Sequence, residues 1–310
     1  MTGDDIQPGA ATPAGGGRLL LVDGHAYAYR AFHAIRELKS PDGSPTNAIY
    51  GFIKMLEKLQ AWLQPSHEAV IWDGGLDAER MKALPDYKAR RPPIPDELAA
   101  QLDPIGEYLQ AVGVVSLCQS GVEADDWIAM AARRAEKAGL RVVIASSDKD
   151  FMQLVSPGVG LVNPNDKSET IWGREQVRAR AGVEPEQITD WLSLTGDSAD
   201  NIPGVPGVGP KTAASLLKQF GSVDELLGRL DEVESGRVRE AVRASQGALR
   251  RNQAMIRLRD DLKLNCEPEQ WRRRPMNRER LLALCRQWGF KSMIRDLEAG
   301  LAADGQPGFW

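Results

Sequence analysis

Carboxylates close several apolar runs of this 310-residue chain. Gly121-Val122-Glu123-Ala124-Asp125-Asp126 puts three of them into four residues, just before the helix-forming run Trp127 to Ala132. Acids suit the first turn of a helix, whose N-terminus carries partial positive charge. That accounts for one cluster only. Asp23 follows Leu19-Leu20-Leu21-Val22, Asp73 follows Ile71-Trp72, and Asp148 and Asp150 come soon after Val142-Val143-Ile144-Ala145. Acids at strand ends and at a helix start imply one pocket at the carboxyl edge of a parallel sheet, where α/β folds place their ligands. So many carboxylates cannot all stay ionised together without cations. Donor sets made only of oxygen suit hard divalent ions, Mg²⁺ or Mn²⁺.

Holding those acids together requires alternating strands and helices, and the apolar patterning supplies them. Strands are expected at 18–22, 69–72, 113–117, 141–145 and 159–163, and helices at 25–37, 46–63, 96–111, 123–138 and 174–181. This alternation predicts an α/β fold with a central, mostly parallel sheet flanked by helices on both faces. From about residue 186 the strand signals stop. A helix at 187–195, a turn-rich stretch, a helix at 212–220 and a polar helical region over 222–301 follow. The expected division is a disordered tail over 1–17, an α/β core over 18–185, a helical subdomain over 186–301 and a tail over 302–310.

Two stretches have a composition suited to nucleic acid. Between Arg80 and Arg91 there are five basic residues against one acid, with Tyr87 inside the run. This fits either a solvated loop or a segment that holds a single strand by charge and stacking. Its place after Asp73 favours the second. Residues 196–211 hold four glycines and three prolines between two helices. Glycines allow close backbone approach, and amides at a helix start point at phosphate. The six arginines of 272–286 face one acid, Glu279, and read as a solvated helical face, with an auxiliary nucleic-acid contact as the second reading.

The net charge of −4 gives no global sign of nucleic-acid binding, so the local distribution matters more. No apolar run approaches the roughly 18 residues needed to span a membrane. The Gly/Pro/Ala-rich start lacks the apolar core of a signal peptide. The three cysteines, Cys118, Cys266 and Cys285, are widely spaced and odd in number, which fits free thiols in a reducing cytoplasm.

Taken together these strings resemble the bacterial 5′-nucleases: flap endonucleases and the 5′→3′ exonuclease domain of DNA polymerase I. The matching segments are Leu21-Val22-Asp23-Gly24-His25, Pro45 to Phe52, Leu84-Pro85-Asp86-Tyr87-Lys88-Ala89-Arg90-Arg91, Gly121 to Asp126, Ser147-Asp148-Lys149-Asp150 and Gly196 to Gly204. They occur in family order over about 18–300. The resemblance implies a PIN-like nuclease core with a helical arch over 74–98 and a helix-hairpin-helix over 197–220. It implies a first metal cluster of Asp23, Asp73, Glu123 and Asp125, and a second of Asp148, Asp150 and Asp197. Asp126 and Asp200 would be additional acids. Lys88 and Arg91 would grip the scissile phosphate, with Arg80 and Tyr87 contacting DNA beside them. Gly204, Gly207, Gly209 and Lys211 would hold duplex, with a K⁺ ion on the backbone carbonyls. The implied activity is structure-specific cleavage of DNA by two metal ions, in replication and repair, by a monomer with a DNA polymerase or ligase as a possible partner. The residue before Arg80, usually aromatic in that family, is Glu79, and Gly74-Gly75 is softer than the usual pattern.

Three other readings are weaker on these residues. A PIN-type ribonuclease shares the sheet and acids but lacks the hairpin and basic arch. A DNA-structure binder that does not cut would have a missing acid, and none is missing. A phosphate-cradling nucleotide enzyme needs a Gly-x-x-x-x-Gly-Lys-Ser/Thr string that is absent. His25, His33, Tyr27, Phe32, Trp127 and Trp191 read as structural.

Overall fold

The computed structural model describes residues 16–166, 168–262 and 267–304, with side chains through residue 300. The tail expected over 1–17 lies outside the described residues except for 16 and 17, as does Cys266.

Five parallel strands make the central sheet: β1 (Arg18–Asp23), β2 (His67–Trp72), β3 (Val115–Cys118), β4 (Arg141–Ala145) and β5 (Val159–Val162). Their order is β3-β2-β1-β4-β5. β1 is buried along its whole length, which is why it reads as one unbroken apolar run. Successive side chains alternate between faces. Leu19 and Leu21 join Ala69, Ile71, Val142 and Ile144 on one side; Leu20 and Val22 join Val70, Val143 and Ala145 on the other. Burying each such Leu, Ile or Val contributes roughly 1.5–3 kcal/mol. That apolar slab is what offsets the cost of crowding acids at its edge.

Helices cover both faces. α1 (Gly24–Ala34), α2 (Asn47–Leu63) and α4 (Asp96–Ala111) pack on the Leu20/Val22 side, with α3 (Ala78–Ala83) between β2 and α4 in sequence. α2 lacks a side-chain cap of its own. The buried Gln101 of α4 supplies it, accepting from the amides of Ala48 and Ile49 at 2.8 and 3.2 Å. α5 (Ala124–Lys137) packs on the other face, and α6 (Arg174–Ala181) leads into the helical half.

That half begins with α7 (Ile188–Thr195), a two-residue hairpin β6 (Gly196–Asp197) and β7 (Ile202–Pro203), and α8 (Pro210–Phe220). Next come α9 (Val223–Gly228), α10 (Gly236–Ala244), α11 (Gln246–Ile256), α12 (Arg278–Trp288) and α13 (Lys291–Asp304), whose end lies past the expected 301. β6 and β7 are too short to show any periodicity, so no sequence pattern announces them. Among the described residues no helix is long and apolar enough to cross a membrane.

Candidate active site

β1 pairs with β2 on one side and β4 on the other, so the chain leaves its end in diverging directions and opens a crevice there. Asp23 ends β1 and caps α1, accepting from the Ala26 amide at 3.0 Å. Ser146, just past β4, joins the two strand ends. Its hydroxyl donates to Asp23 Oδ2 at 2.8 Å and accepts from the Asp148 amide at 3.1 Å. Ser146 carries only a faint sequence signal, a small hydroxyl residue at a strand end beside acids, and is not among the expected site residues. Asp148 in turn accepts from the Asp150 amide at 2.9 Å.

Asp73 follows β2 and accepts from the Ala124 amide at 2.9 Å, which fixes it against the start of α5. The neighbouring Gly74 exchanges backbone hydrogen bonds with Val122 and Gly121 at 3.0 and 2.8 Å. A Cβ there would lie 1.7 Å from the Gln119 carbonyl. The glycine that looked soft in the sequence is therefore required by a close backbone crossing. His25 accepts from the Asp73 amide through Nδ1 at 3.2 Å, which leaves the proton on Nε2. Burial lowers its pKa, partly countered by Asp73, so the ring is neutral near pH 7 and steadies the Asp73 backbone.

Asp23, Asp73, Asp125, Asp148 and Asp197 line a cleft of about 790 Å³, together with His25, Tyr29, Arg91, Lys149 and Arg180. Behind it, one oxygen each of Asp150, Asp197 and Asp200 lie within 4.8 Å of one another. Burial raises Asp125 and Asp150 well above the usual carboxylate range, and in both Asp148 adds to the effect. Burial pushes Asp23 up to about 6. The buried Asp150 Oδ1 has no hydrogen-bond partner. Closely packed carboxylates with an orphaned oxygen fit divalent cations held by oxygen, and they fit little else.

Several expected contacts are corrected. Arg80 is 6% exposed and cannot face DNA. It forms a bidentate pair with Asp126 at 2.7 and 2.8 Å, bonds Glu123, and donates to the Met255 and Arg257 carbonyls. Asp126 also accepts from the Arg259 amide at 2.9 Å, so it serves as the buried counter-ion of Arg80 and does not line the cleft. Tyr87 is 3% exposed; its hydroxyl lies 3.1 Å from Glu123 Oε2 and 3.2 Å from Asp200 Oδ2. It belongs to the interior network and not to a stacking surface. Glu123 is fully enclosed by Arg80, Tyr87 and Lys88 and does not line the cleft, which removes it from the first metal cluster in this arrangement.

Lys88 is also buried, with Nζ 2.7 Å from Glu123 Oε1. Burial works against its ammonium, but Asp125, Asp200 and Glu123 outweigh that and raise its pKa. Its backbone is left-handed (φ +57°) and its amide donates to the Asp200 carbonyl at 3.0 Å. Arg91 is partly exposed, bonds Asp200 Oδ1 at 2.6 Å and faces the cleft. The stretch 74–98 is thus one short helix, α3, a series of turns lying over the acids and the first residues of α4, in place of the expected helical arch.

In the hairpin unit Gly204 is a packing glycine: a Cβ would lie 2.3 Å from the Thr195 carbonyl carbon. Gly207 is left-handed (φ +77°), and Gly209 caps α8 with open space where a Cβ would stand. Lys211 is exposed on the first turn of α8. The carbonyls of Pro206 and Gly207 accept no backbone hydrogen bond among the described residues. Trp191 donates to the Pro210 carbonyl at 3.1 Å and Trp127 is core, so both are structural. Arginines of the 272–286 run pair with acids: Arg272 with Glu269, Arg280 with Glu107, Arg286 with Glu298. That favours the solvated-face reading.

Residues 18–182 match the 5′-3′ exonuclease N-terminal resolvase-like domain, and 183–279 match the 5′-3′ exonuclease C-terminal SAM fold. The chain belongs to the 5′-3′ exonuclease family. That family name gives the reaction class, hydrolysis of a nucleic-acid strand in the 5′-to-3′ direction. A 5′-3′ exonuclease of Aquifex aeolicus is 36% identical over 280 residues, covering 90% of this chain and 95% of that protein. The thermostable DNA polymerase I of Thermus thermophilus is 39% identical over 282 residues. The match covers 90% of this chain but only 33% of that polymerase. Among solved structures, T5 5′-exonuclease with bound zinc superposes with a TM-score of 0.65 at 21% identity, covering 91% of this chain and 98% of that one. The catalytic core of Rad2 in complex with DNA substrate gives 0.61 at 15% identity, covering 94% and 95%. These likenesses are of fold.

Proposed function

We propose that this chain is a structure-specific 5′-nuclease that hydrolyses DNA at 5′ ends and flap junctions with two divalent cations, Mg²⁺ or Mn²⁺. The observation that carries the reading is the acid-lined cleft at the end of β1 and β4, with Arg91, Lys149 and Arg180 on its wall and an unpartnered buried oxygen on the neighbouring Asp150. Asp23, Asp73, Asp125 and Asp148 would hold one ion, and Asp150, Asp197 and Asp200 the other. When bound, the ions supply Lewis acidity at the scissile phosphate and ease ionisation of water near neutral pH.

The chain's own residues do the rest. Ser146 keeps Asp23 and Asp148 in register across two strands. Arg91 can turn from Asp200 toward a phosphate in the cleft without being unburied. Lys88 reaches it only by leaving Glu123, so its engagement follows a movement of the 84–95 segment. Both would neutralise charge developing on the phosphate. The hairpin of residues 204–211 would take duplex through backbone amides and Lys211, with K⁺ on the free carbonyls of Pro206 and Gly207. Phosphate contacts carry no sequence information, so substrate choice follows from DNA shape. The two described cysteines are free, consistent with work in the cytoplasm, where a polymerase and a ligase would act on the trimmed nick.

The test is cleavage of a 5′-labelled double-flap duplex, wild type beside Asp148→Asn, in Mg²⁺ and in Mn²⁺. Metal-dependent cutting near the flap junction, lost in the variant, is the expected outcome. Binding without cutting in either metal would overturn it.

A further inference from the structure

Arg91, Lys149 and Arg180 are the cations on the wall of the cleft. Arg91 is held by Asp200 at 2.6 Å and Lys149 by Asp197 at 2.9 Å. Arg180 is exposed and pairs with no acid among the described residues. It differs in this from the other arginines of α6: Arg174 pairs with Glu184 and Glu186, and Arg178 with Glu184. α6 then ends at Gly182 in the left-handed region (φ +77°), where a Cβ would lie 3.1 Å from Ala214 Cβ on α8. The helix therefore abuts the second helix of the hairpin unit while its last turn presents Arg180 to the acid cleft. Arg180 stands between the two places where DNA would be held.

We infer that Arg180 binds a non-scissile phosphate of the strand that runs from the hairpin to the cleft, and so fixes how far from the junction the cut falls. The inference rests on the DNA reading above. A polyanion entering a cleft lined by carboxylates meets repulsion, and at rest Arg91 and Lys149 are paired with acids of the protein, so either must leave its partner before it can meet a phosphate. A guanidinium without a partner, on the path itself, supplies the missing attraction and can bind phosphate through two parallel N–H donors. Nothing in the local sequence distinguishes Arg180 from Arg174 or Arg178; only the fold separates the free one from the paired ones.

The test is binding of a double-flap duplex by fluorescence anisotropy between 50 and 200 mM KCl, with Ca²⁺ in place of Mg²⁺, for wild type, Arg180→Ala, Arg180→Lys and Arg178→Ala. Losing one phosphate contact lowers the slope of log K against log salt by about 0.9. Arg180→Ala is expected to show that reduction and a few-fold weaker binding at 100 mM salt. Arg180→Lys is expected to restore the slope, and Arg178→Ala to leave it at the wild-type value. With Mg²⁺, the Arg180→Ala cuts are expected to spread by a nucleotide or more. A wild-type slope in Arg180→Ala, with normal wild-type binding, overturns this inference alone. A wild-type protein that does not bind the duplex overturns the DNA reading and this inference with it. Arg180 is exposed and unpaired, so an unchanged melting midpoint in the variant is the folding control.

Discussion

Lys88 is the residue at which rest and action differ most. A buried ammonium 2.7 Å from Glu123 is a structural contact, yet its position beside the cleft suits it to a charge-stabilising role. Lys88→Ala is expected to slow single-turnover cleavage by about 10²-fold, the usual effect of removing one preorganised donor. Duplex affinity, measured separately, is expected to stay within a few-fold of wild type, because the hairpin is untouched. Proportional losses of binding and cleavage would sink this assignment. The acids were legible in the sequence because each terminates an apolar run. The burial of Arg80 and Tyr87 was not, because their partners Glu123 and Asp126 lie at least 36 positions further along the chain. A charge run looks the same whether its partners are solvent or distant acids.

At the scale of elements, Arg80 ties three pieces together. From α3 it reaches the start of α5 through Glu123 and Asp126, and the end of α11 through the Met255 and Arg257 carbonyls. Burial opposes its charge, but Asp126 and Glu123 outweigh that and keep it cationic. Removing one member of a buried ion cluster leaves the others uncompensated, at a cost of about 3–5 kcal/mol. Arg80→Met keeps the volume and is expected to lower unfolding free energy by that amount in urea titrations; a change below about 1 kcal/mol would mean the cluster contributes little. The strands and most helices were readable, with α4, β4 and α6 found at their expected limits. The arch was not. Its conformation is set by tertiary bonds such as the Lys88 amide to Asp200 and Asn201 Nδ2 to the Asp86 carbonyl, which leave no periodicity.

For the whole molecule, the acid cluster links stability to pH and metal. Asp23 moves from an ordinary 3.8 to about 6 on folding. A carboxyl raised in this way favours the folded state fully below about pH 4, and that contribution fades as pH rises through 6. Its size is about 3 kcal/mol by the usual conversion of a pKa difference. Asp125, Asp148 and Asp150 shift in the same direction, mainly through burial. Metal-free protein is therefore expected to melt lower at pH 7.5 than at pH 5. Added Mg²⁺ is expected to raise the midpoint more at pH 7.5, where the carboxylates are ionised, than at pH 5. Equal Mg²⁺ effects at both values in calorimetry would show that the cluster is not the cation site.

The acids that meet at the sheet edge come from positions spread between Asp23 and Asp200. A ribosome adds roughly 5–20 residues per second, from the N-terminus onward. A nascent chain that has emerged as far as β5 already owns every strand of the sheet, but it still lacks Asp197 and Asp200. On the proposed ligand set, the second cation site is therefore completed only as the segment leading into the hairpin unit is made, long after the sheet that carries the first acids.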